Sequence, residues 1–400
     1  MRKLMREVSI GLLFLFVLAT AVFADGSIYS TRAFGVSWYF PSGQAVGMGG
    51  VAMSSVDSQH LNWANPAALP ASQTVQVSCV FLYQHLKINS KTQVFKTGYA
   101  NFNGVMFSVP VHKRMGVAFG IQPLTNINLK IKRRDAIKNN IYTKSVKSSG
   151  GLNSFFLMIG YRPLKSLLVG IGTNFIMGKM EENWRVDFID SHFRDNFDQF
   201  RTKAWGMNYT VGVIAEPLPG WHLGGIYGFS SNLHLKFETS YYSADIKTSK
   251  NATTTYPKKI GIGTSYHWKG RWQVGFDFVT QDWQNFQLGE EKPNETIREY
   301  RYAGGIEFTP SRQTHAFYLK QISYRAGFTY SQPYFLGYNG EKLHSYLFTF
   351  GFGLPFAHQT GMLDLSFEIG KMGDLEKNMF AENIFRMVVF ITSNERWFVR

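Results

Sequence analysis

Short segments in which apolar and polar residues alternate run through most of the 400-residue chain, and this alternation limits the fold more than any other feature. In one segment Leu363, Leu365, Phe367 and Ile369 occupy every second position, and polar residues or glycine lie between them. A period of two places the apolar set on one face of a β-strand and the polar set on the other. The same pattern recurs in 272–278, 322–330 and 348–354. The chain is therefore predicted to be all-β.

The N-terminus predicts export. Basic residues at positions 2, 3 and 6 precede the apolar stretch Ile10–Ala24, and Val22 and Ala24 fit a cleavage site before Asp25. This pattern is typical of a secretory signal peptide. No later apolar run approaches the length of about 20 residues that a spanning helix needs. Since only helices and closed barrels satisfy every backbone polar group in lipid, the alternating strands of an exported chain predict a barrel in the outer membrane of a Gram-negative-type bacterium.

Composition excludes several other classes. Aromatic residues make up 16% and charged residues 17% of the chain, whereas disordered chains have few aromatics and high charge. A single cysteine rules out a disulfide framework and Cys-based metal sites. The ten histidines show no metal-ligand spacing, and no serine lies in a nucleophile elbow. We therefore predict no enzyme activity, no cofactor and no metal, and export argues against nucleic acid as a partner.

The alternation predicts about 14 antiparallel strands. Three regions follow from it: a signal peptide (1–24), an N-terminal hatch (25–73) and a transmembrane β-barrel (74–400). The predicted strands are 74–88, 93–110, 115–131, 151–161, 167–181, 204–216, 221–239, 257–268, 271–283, 299–309, 320–331, 344–354, 362–372 and 382–396. Most connections alternate between short and long, as in membrane barrels, although those at 89–92 and 311–318 break the rule. A β-sandwich or a secreted β-solenoid is the alternative, and neither predicts alternating loop lengths.

Residues 25–73 do not show a strand pattern. Their glycines permit close backbone approach, and a lumen of 14 strands is too wide for side chains alone to fill, because about eight strands is the size at which they do. We therefore predict a plug inside the barrel, with an extension packed on the barrel surface as the alternative. The residues that define this hatch motif are Gly43, Gly47, Met48, Gly49, Gly50, Asp57, Asn62, Trp63, Asn65, Pro66 and Ala67.

The order of these motif residues resembles the start of the FadL/TodX-type (OMPP1) outer-membrane transport family and of the related PorV/PorQ-type proteins. The resemblance implies a 14-stranded barrel with a hatch in its lumen. It also implies lateral release of hydrophobic substrate through a kink in the third strand, where Gly120 and Pro123 lie. Proline cannot donate to a ladder, so Gly120–Pro123 is predicted to mark a bulge or local opening. A bend near the rim without a transport role is the alternative. The chain departs from the family pattern at its end, Trp397–Arg400, where the aromatic pair is slightly internal.

Three further groups of residues are candidates. A lumen charge network that braces hatch and wall, or simply a polar lining, comprises Asp277, Arg301, Glu307, Arg325, Asp364, Glu368 and Arg386. Aromatic residues that could capture hydrophobic molecules are Trp184, Phe188, Phe193, Phe286, Tyr334 and Phe335. A basic rim suited to the phosphates of lipopolysaccharide, or a solvated loop, contains Lys130, Lys132, Arg133, Arg134, Lys138, Lys144 and Lys147.

The leading functional hypothesis is passive uptake of hydrophobic small molecules such as long-chain fatty acids. It combines an outer apolar pocket, hatch movement and lateral release near the strand-3 kink. The second hypothesis is a PorV/PorQ-like component of a protein secretion system that binds cargo or partner proteins. A generic porin is third, because the hatch-like segment argues against an open pore. The expected partners are outer-membrane lipid, lipopolysaccharide, a hydrophobic ligand and, under the second hypothesis, secretion-system proteins.

Overall fold

The computed structural model describes residues 26–395 apart from 138–139, 190–191 and 287–294; the predicted signal peptide and Trp397–Arg400 lie outside this range. Strands dominate. They are β1 (Val36–Ser37), β2 (Val75–Ser90), β3 (Val94–His112), β4 (Met115–Pro123), β5 (Thr125–Ile137), β6 (Asn140–Leu164), β7 (Leu167–Phe188), β8 (Asn196–Leu218), β9 (Trp221–Gly228), β10 (Ser231–Tyr241), β11 (Ile246–Tyr256), β12 (Lys259–Trp268), β13 (Trp272–Asp282), β14 (Arg298–Phe308), β15 (Ser323–Gln332), β16 (Ser345–Phe356), β17 (Gly361–Met372) and β18 (Phe380–Glu395).

The helices are short. They are α1 (Gly43–Gly47), α2 (Tyr318–Gln321), α3 (Leu375–Asn378) and the 3-10 helices Ile28–Thr31, Pro66–Ala71 and Ala357–Gln359. None of the helices in the described residues is long and apolar enough to cross a bilayer.

The sheet closes on itself, because β18 pairs with β2 from Glu395 opposite Val75 to Phe380 opposite Ser90. Three spanning strands are each built from two pieces: β4 with β5, β9 with β10, and β11 with β12. The two-residue β1 belongs to the N-terminal segment. The wall is therefore an antiparallel barrel of 14 strands, and the predicted class and count are confirmed.

The alternation in sequence becomes an inner and an outer face. In β16, Phe348 and Phe350 are exposed on the outside, whereas Thr349 and Gly351 are buried inside. The outward set contacts lipid in a membrane, where apolar side chains are stable. The polar set points at the N-terminal segment.

Three long strands correct the predicted loops. β6, β7 and β8 contain 25, 22 and 23 residues, although about 9–11 residues suffice to cross a bilayer. The segments predicted as loops between strands, 132–150, 182–203 and 240–256, are largely strand. Their polar composition is typical of loops, but pairing between neighbouring strands satisfies their backbone groups. Six strands thus continue above the barrel on one side; we call residues 128–137, 140–149, 180–188, 196–203, 236–241 and 246–250 the raised sheet.

The N-terminal segment packs inside the ring of strands. Helix α1 contacts β15, β16, β17 and β18, whereas the 3-10 helix Pro66–Ala71 contacts β3, β4, β6, β7 and β8. These two groups of strands lie on different arcs of the wall. The segment therefore spans the lumen. Its role as a movable hatch stays a prediction.

Candidate functional site: the plugged lumen and the seam in its wall

A glycine turn anchors the N-terminal segment to one arc of the wall. Ser42 caps α1 by accepting a hydrogen bond from the backbone N–H of Ala45, 3.0 Å away. Gly49 follows the helix with a φ of +71°, which favours glycine. Its N–H donates to Oγ1 of Thr349, 2.9 Å away, and its carbonyl accepts from the Thr329 hydroxyl. The turn is thus held by β15 and β16.

The second half of the motif closes the segment on itself. Asn62 Nδ2 donates to the carbonyl of Ala52 at 2.6 Å, and Asn65 Nδ2 donates to the carbonyl of Met53 at 2.7 Å. Asn65 also accepts from the N–H of Ala67, 3.1 Å away, and Pro66 begins the 3-10 helix with its φ already suited to that position. The two asparagines therefore tie residues 52–53 to the turn that follows them.

Trp63 fills the space between the segment and the wall. Its ring lies 6.3 Å from that of Phe156 on β6 and 6.0 Å from that of Phe390 on β18. All three side chains are buried. Every predicted motif residue thus lies at a contact within the segment or with the inner wall, and Trp63 also lines a lumen cavity.

A buried ion cluster joins the segment to β14, β15 and β17. Arg325 donates to Glu307 at 2.7 Å and to Asp364 at 2.5 Å, and the arginine and aspartate side chains are fully buried. His60 lies between two carboxylates, with Nε2 3.1 Å from Asp364 and Nδ1 3.2 Å from Asp57. Sequence reasoning did not identify His60, because a lone histidine outside any motif carries no signal.

The charge state of His60 gives a pH prediction. Burial lowers the pKa of His60, but the carboxylates of Asp364 and Asp57 outweigh it and raise the pKa to about 10. Since the unfolded pKa is about 6.5, the stabilisation is complete below that pH and is lost as the pH rises towards 10. We expect backbone hydrogen exchange in residues 43–65 to accelerate from pH 7 to pH 10, beyond the intrinsic pH effect. The variant His60→Gln should lack this added acceleration, and an identical profile in both proteins would contradict the assignment.

The remaining predicted lumen charges do not form one network. Asp277 accepts from the N–H groups of Ala52 and Met53 at 2.6 and 2.8 Å. Arg301 donates to the carbonyl of Gly49 at 3.2 Å, and its guanidinium lies over the ring of Tyr39. These two residues therefore hold backbone of the N-terminal segment. Glu368 and Arg386 form a separate pair on the wall, 3.2 Å apart.

Three of the predicted capture residues are not available to a ligand. Phe286, Tyr334 and Phe335 are fully buried. Phe34 of the N-terminal segment packs against Phe286 with 4.8 Å between ring centroids, and the Tyr334 hydroxyl donates to the carbonyl of Gly35 at 2.6 Å. In this arrangement the chain's own N-terminal segment fills the outer apolar pocket, and the role of these three aromatics as capture residues stays a prediction.

The other three capture candidates lie in the raised sheet or in the loop that follows β7. Trp184 and Phe188 are on β7 in the raised sheet, and Phe193 follows in the next loop. The Phe188 ring stacks on that of Phe193 at 5.2 Å, and Trp184 is half-exposed. These residues remain open to a partner or ligand.

The barrel wall has a seam beside Pro123. β4 pairs with both β3 and β6, but β5 pairs only with β6 and the short β1. Among the described residues, no ladder joins β3 above Val105 to β5. The ladder stops near Pro123, which has no N–H to donate, and Leu124 lies outside any strand. Gly120, the other gate candidate, lies in regular pairing with Met106 and Phe156.

Irregular backbone flanks this seam on both sides. The register of β2 and β3 shifts next to Gly104, whose φ is +132°. Such a bulge bends a strand and increases its local twist. On the other side, Gly150 and Gly151 in β6 have φ values of +119° and +133°, although β6 keeps its register with β7 there. Pro123 is therefore one of several irregular positions around the seam.

The N-terminal segment closes the seam from inside. Val36 pairs with Asn126 on the free edge of β5. The Trp38 ring lies parallel to that of Tyr99 on β3 at 6.5 Å, and Asn126 donates across the seam to the Tyr99 hydroxyl at 3.1 Å. Trp38 thereby joins β5 to β3 where the strands themselves do not pair.

Two lumen cavities meet at Trp38. One, of about 140 Å³, is lined by apolar residues and by five charged ones: Lys259, Glu299, Arg301, Glu368 and Arg386. The other, of about 100 Å³, is lined mainly by apolar and aromatic side chains, with Trp38, Phe40 and Leu124 among them. In the described part of the chain no three His, Cys, Asp or Glu side chains could hold a metal ion together.

The predicted basic rim is divided between two faces of the raised sheet. Burial and pairing place Lys130, Lys132, Arg134 and Lys147 on the outer face. Arg133 and Lys144, which pair with each other, lie on the inner face. Lys138 lies outside the described residues. The rim is strand, not loop, and it presents four cations together on the outer side.

A closed 14-stranded barrel with a filled lumen and a seam in its third strand defines an outer-membrane protein with the architecture of hydrophobic-compound channels. The chain belongs to the BamG family, whose sequence model matches residues 4–400. Among curated proteins, none matches the chain.

Solved structures support this class. The toluene transporter TbuX of Ralstonia pickettii is 14% identical, with a TM-score of 0.61 over 91% of this chain and 100% of that one. A FadL homologue of Pseudomonas aeruginosa is 12% identical, with a TM-score of 0.61 over 90% and 99%. The Pseudomonas putida toluene transporter TodX is 12% identical, with a TM-score of 0.59 over 90% and 99%. At these identities the likeness shows the shared fold.

Proposed function

We propose that this protein passes hydrophobic small molecules through the seam between β3 and β5 into the outer leaflet. The seam carries the proposal, because a barrel built only for structure gains nothing from an unpaired wall. Bilayers normally exclude open strand edges from their apolar region. A molecule that leaves sideways through the seam never crosses the charged lumen below it.

The route begins above the aromatic cluster and ends at Leu124. Phe34 and Trp38 lie in the way, and both belong to the N-terminal segment. Outward movement of residues 34–38 would free the pocket around Phe286 and join the two cavities. The buried ion cluster lies elsewhere in the lumen and would keep the rest of the segment in place. The described arrangement is thus the closed state.

The proposed substrate class is based on the residues that line the two lumen cavities and on the similar solved structures. The smaller cavity is mostly apolar, and two of the similar structures are toluene transporters. We infer that small hydrocarbons fit this route, and that a long-chain fatty acid would place its carboxylate at the cationic cavity beside Arg301 and Lys259. Toluene and palmitate are therefore suitable probes for the two classes.

Bridging the seam tests the proposal. In the variant Tyr99→Cys/Asn126→Cys, a short bifunctional maleimide would link β3 to β5, with Cys79 replaced by alanine. We expect uptake of radiolabelled toluene or palmitate to fall to that of cells without the protein, because the exit cannot widen. The control pair Ile306→Cys/Ala326→Cys bridges two adjacent strands elsewhere in the wall, at positions that do not line either cavity. Undiminished uptake through the bridged seam would overturn lateral release.

The filled outer pocket favours a second function. Since the N-terminal segment occupies the site that a ligand would enter, the protein fits a PorV/PorQ-like role in which it binds cargo or partner proteins. Cells that take up neither probe faster than cells without the protein would favour this role. Uptake that requires an unbridged seam would exclude it as the only function.

The outer basic face suits lipopolysaccharide. Lys130, Lys132, Arg134 and Lys147 share the outer face of the raised sheet, which would meet the headgroup region of the outer leaflet. Phosphates are attracted to such a cluster, and the attraction weakens with salt. This contact orients the protein in the membrane under either function.

A further inference from the structure

The inner face of the raised sheet carries an apolar row between rows with charged residues such as Arg133, Lys144 and Glu182. Along its inner face, one row of paired positions crosses all six strands, and five of the six residues are apolar or aromatic. The row is Ile131, Val146, Trp184, Asp198, Tyr241 and Ile246. Phe200 lies in the next row, with its ring 6.0 Å from that of Tyr241.

These apolar side chains are not covered by the described part of the chain. Ile131, Trp184, Tyr241 and Ile246 are between 38% and 49% exposed. They face the axis of the barrel above the plug, so lipid does not cover them as it covers the aromatics lower on the outside. Contiguous exposed apolar area of this kind marks an interaction site.

The outer face of the same strands is charged. Arg201 contacts Glu181 at 3.3 Å and Glu238 at 3.4 Å, and Lys203 contacts Glu238 at 2.9 Å. An antiparallel sheet with one solvated face alternates in this way, with its apolar face packed on another layer. The raised sheet has the pattern of a packed sheet but lacks the second layer within the described chain.

The dimensions of the inner face indicate the size of the missing layer. Six strands about 4.8 Å apart and on average about eight residues long cover roughly 25 by 26 Å, or on the order of 650 Å². A standard protein–protein interface buries about 800 Å² on each partner. A hydrocarbon or fatty acid would cover only a small part of this area.

The chemistry of the row fits a protein. Tryptophan and tyrosine are enriched among the residues that contribute most to protein interfaces. Trp184 and Tyr241 flank the middle of the row and are 49% and 38% exposed, so both can contact a partner.

We propose that the inner face of the raised sheet is the docking surface for a folded protein at the cell surface, which covers the mouth of the barrel with an apolar patch opposite Trp184 and Tyr241. This surface is separate from the seam and does not require uptake. Its occupant supplies the second layer that the exposed face lacks.

Thiol labelling in the native membrane tests the proposal. Cys79 is first replaced by alanine, and then Trp184→Cys reports on the inner face while Lys203→Cys reports on the outer face. A membrane-impermeant maleimide is applied to intact cells and to the purified protein in phospholipid vesicles. We expect the inner site to react roughly tenfold more slowly in cells than in vesicles, as for a surface occupied about nine-tenths of the time. The outer site should react equally fast in both, and equal rates at the inner site would overturn the proposal.

A second measurement identifies the occupant without relying on uptake. A photoreactive amino acid at position 200 is activated in intact cells, and adducts are identified by mass spectrometry. We expect one protein adduct, which is lost when Trp184→Arg is introduced and retained with the outer-face change Arg201→Ala. Adducts only to lipid, lipopolysaccharide or a small hydrophobic molecule would exclude a protein occupant. The seam-bridging experiment is unaffected by any of these outcomes, so the two proposals fail separately.

Discussion

Replacing Arg325 by methionine is expected to lower the free energy of unfolding by about 3–5 kcal/mol, because the change leaves the buried carboxylate of Glu307 without its cation and that of Asp364 with His60 alone. Glu307 and Asp364 both contact Arg325, and all three side chains are buried. Methionine fills much of the same volume, so the effect reports charge rather than a cavity. The measurement is urea unfolding of the purified barrel in detergent, followed by the heat-dependent gel shift.

Two comparisons isolate the cause. The exposed pair of Arg298 and Asp282, 2.6 Å apart, is the control, and Arg298→Met should leave the unfolding midpoint nearly unchanged because exposed ion pairs contribute little. Combining Arg325→Met with Glu307→Gln and Asp364→Asn should recover much of the lost stability, since no charge then remains unpaired. A single Arg325→Met variant as stable as the wild type would show that the cluster does not hold the segment.

Adding one methyl group at Gly305 is expected to displace the N-terminal segment while the barrel still forms. A Cβ built at Gly305 lies 2.3 Å from the carbonyl oxygen of Met48, far inside van der Waals contact. The obstructing atoms are backbone, so a side-chain rotation cannot relieve the overlap. Overpacking of this kind costs about 1–3 kcal/mol, and we expect the upper end for Gly305→Ala. Limited proteolysis should cleave residues 43–65 in the variant and not in the wild type.

The adjacent residue provides the matched control. Gly304 lies on the same strand with its Cβ direction on the outer face, where the nearest atom would be 3.9 Å away. Gly304→Ala should therefore preserve protection of the segment. Cleavage in both variants would mean that alanine disturbs β14 itself, whereas protection in both would show that the turn at Met48 yields easily.

Toluene uptake by Gly305→Ala also shows whether displacing the turn at Met48 is enough to open the proposed route. If Gly305→Ala displaces the turn at Met48 without opening the seam, toluene uptake stays low although the segment is cleaved. This result would place the controlling contacts at residues 34–38, beside Trp38 and Tyr99. Increased uptake would instead indicate that the whole segment moves as one body.

The amino-acid sequence alone was enough for the membrane class and the strand count. Alternation over segments such as 363–370 is a local property, and a period of two can only be satisfied by a strand with two different faces. The absence of a long apolar run after position 24 then left the barrel as the spanning structure. Residue composition and order therefore determined the fold class without reference to any partner strand.

The sequence predicted the position of the seam only in part. Pro123 indicated an irregularity, because proline lacks a donor. The sequence could not show that β5 loses contact with β3, since that depends on how β3 and β6 pair with their other neighbours, including the bulge next to Gly104. It also could not show that Val36 and Trp38, nearly 90 residues away, occupy the gap.

Tertiary structure alone decided which aromatic residues are exposed and which charges meet. Phe286 and Tyr334 have the composition of a capture site, but Phe34 covers them from a distant part of the chain. His60 gains its role only because folding places it between Asp57 and Asp364. Strand formation is specified by neighbours two residues apart, so the sequence reveals it directly. Pairing, plugging and exposure depend on contacts between residues that are far apart in the chain, and these exist only once the barrel has closed.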